Sequence, residues 1–193
     1  MPSIVCRPRA LLVALAAIAA IGGCKDVTGP KAQFNNLEAK PTLYAMNGTA
    51  VTLPVALVVR SVTPVRIDAT FIFDIAVDLD ASGVVQVHSV SRVASELVAT
   101  RRVGMQIGSE SFVSTLKAPT GGYAYDTVMA LPIGKTLLID VLEQNCTSSF
   151  LGANIRAKVG VDSVNTTTRA IYLHVLSNPN CGFRALNQGE PKD

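Results

Sequence analysis

An all-β fold, built as an antiparallel β-sandwich of about nine strands with immunoglobulin-like architecture, is what this sequence predicts. The first observation is the stretch from Val65 to Asp80. Val65, Ile67, Ala69, Phe71, Phe73, Ile75, Val77 and Leu79 alternate there with Arg66, Asp68, Thr70, Ile72, Asp74, Ala76, Asp78 and Asp80. Side chains of a strand point alternately to opposite faces, so this segment reads as a strand with one apolar face on a core and one polar face in water. The second observation is the same period at Ile155, Ala157, Val159 and Val161, followed by the polar turn Asn165 to Thr168 and by Ile171, Leu173 and Val175. The third is the lack of recurring 10–15-residue amphipathic helices, which leaves a parallel βαβ architecture with little support.

The elements follow in chain order. The first 23 residues contain Arg7 and Arg9 and then an apolar, small-residue run from Ala10 to Gly23, 14 residues long. A bilayer-spanning helix needs ~20 apolar residues, whereas the apolar region of a secretory signal takes ~7–15. The run ends in Ile21-Gly22-Gly23-Cys24. An aliphatic residue, two small residues and a cysteine in that order resemble the lipobox of bacterial lipoprotein signal peptides. The resemblance implies cleavage between Gly23 and Cys24, a diacylglyceryl group on the Cys24 sulfur, and a mature chain held to the cell envelope by lipid. It also implies an outer-membrane rather than an inner-membrane destination, because Lys25 and not an aspartate follows the cysteine. Several acyl chains hold a protein firmly to a bilayer, at about 0.8 kcal/mol for each buried CH₂.

Residues 24–40 are polar and punctuated by Gly29-Pro30 and Asn35-Asn36, and they read as a lipidated N-terminus and flexible tether to a domain spanning 41–186. A polar tail covers 187–193. Within the domain, strands are expected at Val51–Val59, along Val65–Asp80 with a bend or as two successive strands, and at Val84–Val90 after an Ala81-Ser82-Gly83 turn. One short helix is expected within Ser91–Thr100, where Val93 and Leu97 have helical spacing. Further strands are expected at Val103–Ile107, Phe112–Leu116, Tyr125–Leu131 and Thr136–Leu142, before the pair around Ile155 and Ile171.

Charge and cysteine content narrow the functional classes. Basic residues number 17 and acidic ones 14, and removal of Arg7 and Arg9 leaves 15 against 14. A chain so nearly neutral lacks the electrostatic footprint of a nucleic-acid binder. With Cys6 in the signal and Cys24 lipidated, Cys146 and Cys181 remain, and an isolated pair in an oxidising compartment predicts a disulfide. Neither lies in a C-x-x-C, so neither redox catalysis nor a zinc knuckle is indicated.

Further segments offer candidate sites. Asp78-Leu79-Asp80-Ala81-Ser82-Gly83 opens like a calcium loop, but Ser89 stands where the bidentate glutamate belongs, and a hairpin end explains the acids as well. Gly108-Ser109-Glu110-Ser111-Phe112 lacks the second glycine of a nucleophile elbow. His88 and His174 fall singly in strands. These readings give no catalytic residue, metal ligand or cofactor. Tyr123 and Tyr125, beside Gly121-Gly122, form a candidate interaction loop. The function expected is therefore a lipid-anchored envelope β-domain, structural or protein-binding rather than enzymatic and accessory to a membrane-associated complex. Its partners would be the membrane, through Cys24, and another envelope protein. The alternative is a small-ligand or glycan-binding module assisted by calcium.

Overall fold

Two antiparallel sheets face each other across one apolar core, so the predicted β-sandwich is the fold of this chain. The computed structural model describes residues 30–67, 72–94, 101–143, 146 and 151–191. Cys24, with the rest of the signal segment, lies outside the described residues, as do Asp68 and Phe71.

The strands are β1 (Leu37–Ala39), β2 (Thr42–Tyr44), β3 (Ala56–Val58), β4 (Thr63–Val65), β5 (Ile75–Leu79), β6 (Val85–Ser89), β7 (Val103–Ile107), β8 (Ala124–Tyr125), β9 (Val128–Leu131), β10 (Thr136–Leu142), β11 (Asn154–Asn165) and β12 (Ala170–Asn178). A single helical turn, α1 (Val90–Val93), follows β6. The larger sheet runs β1-β12-β11-β10-β7-β8, with β2 also on β12, and the smaller runs β4-β3-β5-β6-β9. Pro64, which cannot donate to a ladder, sits in the edge strand β4.

Alternation explains the core. Ile155, Ala157, Val159, Ile171, Leu173 and Val175 point inward from the larger sheet and meet Phe73, Ile75, Val77, Val85 and Val87. The hairpins also form where turn residues stand. Asp80 Oδ1 accepts from the amides of Ser82 and Val84, at 2.8 and 2.9 Å, closing the β5–β6 turn, and Asn165 Oδ1 accepts from Thr167 and Thr168 at 3.0 Å each.

Several expectations need correction. Within Val65–Asp80, expected as a bent strand or as two in succession, Val65 ends β4 and Ile75–Leu79 form β5, with residues 68–71 outside the described residues, but Asp74 on the expected wet face is 0% exposed. Its carboxylate accepts from the Val59 amide and from Arg101 Nε, both at 2.6 Å, which replaces the lost water. Phe112–Leu116 is not a strand. Ser111 takes its backbone into a tight turn, its carbonyl accepting from the Thr115 amide at 3.0 Å and from Thr115 Oγ1 at 2.9 Å. Tyr125–Leu131 is broken at Asp126, whose φ of 54° turns the chain out of one sheet and into the other. Short aspartate tolerates that left-handed conformation better than most residues.

The ends are also more ordered than a tether and a tail. Asn180 Oδ1 accepts from the amides of Gln33 and Phe34 at 2.7 and 2.9 Å, β1 pairs with β12, and Asn36 bridges to Gly189. The compact unit begins at Ala32 and includes the C-terminal residues. Cys146 and Cys181 form the expected disulfide, with Cα atoms 5.4 Å apart. Beside it Gly182 has φ +81°, and a Cβ there would lie 2.5 Å from the Leu151 backbone. Only glycine fits that approach.

Candidate functional site

The face of the larger sheet that turns away from the core carries its polar side chains in rungs, because residues paired across antiparallel strands project on the same side. One rung runs Tyr125, Gly104, Asp140, Arg156 and Asn178. The next runs Gln106, Leu138, Lys158, Leu176 and Glu38. A third contains Thr136, Gly160 and His174. Sequence alternation assigns these positions to solvent, yet Asp140 is 2% and Lys158 3% exposed.

A strap covers them. Between β7 and β8 the chain crosses this face, and its residues Leu116 to Ala118 pair with Arg184 to Leu186 of the C-terminal segment. Ala118, Leu138, Leu176 and Leu186, with Phe112 and Tyr123 packed on them, form a second small core. Cations hold the strap by its carbonyls. Lys158 Nζ donates to the Phe112 and Thr115 oxygens at 2.8 Å each, and Arg184 Nε donates to the Ala118 oxygen at 2.7 Å. Burial pushes the Lys158 ammonium below its usual pKa, and the nearby Glu38 charge opposes the shift.

The first rung is a polar network centred on Asp140. Asp140 accepts from Tyr125 OH and Asn154 Nδ2, both at 2.6 Å, and pairs with Arg156. Arg102 lies over the Tyr125 ring, 4.4 Å from its centroid, and Arg156 lies over Tyr123 at 5.6 Å. Burial drives the Tyr123 hydroxyl up to about 12, against the pull of Arg156 and Arg184. The candidate loop tyrosines are thus brought together, but as anchors of the strap's return into β8.

The second and third rungs end in an open cavity of about 290 Å³, lined by Glu38, Phe112, Lys158, His174, Leu176 and Leu186, with Val113 and Leu116 at the mouth. His174 Nε2 lies 2.5 Å from Glu38 Oε1, and its ring stacks on Phe112 with centroids 4.0 Å apart. Gln188 Nε2 donates to Glu38 Oε2. Burial tends to raise the Glu38 carboxyl's pKa. The hydrogen bonds from His174 and Gln188, with the charges of His174 and Lys158, outweigh it and hold the group below its ordinary value.

The other sequence candidates serve the scaffold. Asp78 Oδ1 accepts from the Asn47 and Leu79 amides and from Arg169, and Asp78 Oδ2 accepts from Asn47 Nδ2. Asp80 is occupied by its turn and by Gln86 Nε2 at 3.0 Å. All four carboxylate oxygens already have protein donors, which accounts for both acids without a cation. Among the described residues no group of three or more His, Cys, Asp or Glu is placed to hold a metal ion. His88 stands on β6, away from this face, and burial lowers its pKa, with Asp78 opposing and Arg92 reinforcing that shift.

The sequence marks His174 only as a lone strand histidine and gives no sign of Glu38, Phe112 and Lys158 beside it, since their proximity depends on strand order. The available signal was the pair Arg156 and Lys158 on the polar side of an otherwise apolar strand. No protein-family model matches this chain, and neither a curated protein nor a solved structure matches it.

Proposed function

We propose that this chain is a lipid-anchored envelope domain that works by binding another envelope protein, accessory to a membrane-associated complex, and that the strapped face of the larger sheet is its contact surface. The observation that carries the surface is the exposure of Val113 and Leu116, 80% and 59%, on a strap fixed beneath them by Lys158 and Arg184. Apolar side chains held rigidly in water at the mouth of a cavity suit a partner that buries them. The anchor rests on Arg7, Arg9 and Ile21-Gly22-Gly23-Cys24, and an outer-membrane site rests on Lys25.

Two measurements test the proposal. Mass spectrometry of the natural protein should find a chain beginning at Cys24 with added acyl mass, and an intact Met1 would overturn the anchor. A photocrosslinking residue at position 113 should give one defined adduct that the same residue at Ile72, exposed but on the other sheet's side, does not. Equal adducts from both positions, or none from position 113, would overturn the contact surface.

The cavity favours a second reading, that of a small-ligand module. Its combination of an apolar wall with a few converging polar groups is the usual make-up of a ligand pocket.

A further inference from the structure

Lys158 is almost entirely buried, and a buried ammonium requires its three N–H groups to be satisfied. Two of them go to the Phe112 and Thr115 carbonyls. The third has no hydrogen-bond acceptor among the described residues, where the ammonium lies over the Phe112 ring at 4.6 Å from its centroid, and the side chain lines the 290 Å³ cavity. Glu38 is the nearby acid whose charge it feels, but the Glu38 oxygens are taken by His174 and Gln188. A ligand entering here therefore meets one unused donor carrying positive charge. Opposite the polar side of the wall, where Glu38, His174 and Gln188 bond to one another, stands an apolar side made by Phe112, Leu176 and Leu186 and continued outward by Leu116 and Val113.

We infer that the cavity binds a small amphipathic carboxylate. One carboxylate oxygen accepts from Lys158 Nζ, and the apolar chain lies against Phe112, Leu176 and Leu186 and leaves past Leu116. A charged acceptor is favoured over a neutral one because it adds direct Coulomb attraction to the Lys158 ammonium, which is stronger in a site withdrawn from water. A cation is disfavoured by the ammonium, and Glu38, the acid in the same wall, already has both oxygens bonded to His174 and Gln188. The volume lies near the lower end of the ~300–1,000 Å³ typical of small-molecule sites, which selects a short chain. This inference rests on the small-ligand reading of the cavity and is independent of the lipid anchor and of the protein partner.

The test is calorimetric titration of octanoate into the purified full chain, with the same solution lacking protein as the blank. Saturable binding to one site is expected, with octanol and octylamine each at least tenfold weaker. Lys158→Met should weaken octanoate at least tenfold while leaving octanol unchanged. If Lys158→Met melts too early to titrate, Leu116→Asp decides, since it alters an exposed position. That variant should keep the melting temperature and weaken octanoate severalfold. Octanol binding as tightly as octanoate, N-acetyl-leucine binding more tightly than octanoate, no saturable heat, or unchanged octanoate affinity in Leu116→Asp would each overturn the inference. None of these outcomes depends on the photocrosslinking result.

Discussion

Asp74 is held in the core by two donors, and its cost and its worth can be separated by substitution. Burial raises its pKa above the ordinary 3.8, while Arg101 and the Val59 amide pull it back. Asp74→Ala should destabilise the domain by about 3 kcal/mol, the lower end for a broken buried pair, because Arg101 keeps some contact with solvent. Asp74→Asn, which preserves one acceptor, should cost less. Chemical denaturation of the two variants gives the comparison. Glu38 carries the opposite sign. Its carboxyl is held below its ordinary 4.5, so its ionised form favours the folded state. That stabilisation is present above about pH 4.5 and is lost as pH falls through the lowered value. Glu38→Gln should therefore flatten the acid side of a melting-temperature profile between pH 3 and 6, and an unaltered profile would show that the contact with His174 contributes nothing.

Among elements, the strap between β7 and β8 shows how a polar sheet face becomes an interior. Arg156 and Lys158 look solvent-facing by period two, and they are, relative to the main core. Loop residues then cover them and supply carbonyls and aromatic rings as partners. Gly104 permits this closure. A Cβ there would sit 2.8 Å from Tyr123 Cβ and 2.8 Å from Tyr125 Cε1. Gly104→Ala should thus force both tyrosines away and cost about 1–3 kcal/mol, as overpacking typically does. It should also release the Tyr125 hydroxyl from Asp140, which tyrosine ultraviolet absorbance would register. Phe73→Ala tests the other side of the sandwich. A fully buried ring removed from the shared core should cost about 3–5 kcal/mol in a denaturant titration.

At the scale of the whole molecule, the Cys146–Cys181 bridge closes a loop with a sequence separation of 35 and ties the segment after β10 to the segment after β12. Loop-closure entropy alone gives it about 3.5–4 kcal/mol, so reduction should lower stability by nearly that amount without abolishing the sheets. Melts with and without reductant, followed by far-ultraviolet circular dichroism, would show it.

The all-β class, the β5–β6 and β11–β12 hairpins, the limits of β7 and β10 and the disulfide were all legible in the chain, because each depends on neighbours in sequence or on simple elimination. Period two reports which side of a strand is apolar, and Ile155 to Val161 or Phe73 to Leu79 carry that information locally. What covers the opposite side is decided by residues far along the chain. Asp74 meets Arg101, Lys158 meets Phe112 and Thr115, and Glu38 meets His174 across 136 residues. The same holds for Tyr125–Leu131, where one continuous apolar pattern serves two sheets because Asp126 turns between them. Local alternation is a property of the strand, and together with the lack of recurring amphipathic helices it determined the sandwich. Burial of a polar side chain depends on which distant donors and acceptors can reach it, so only the tertiary structure decided where the cavity and its lysine would be.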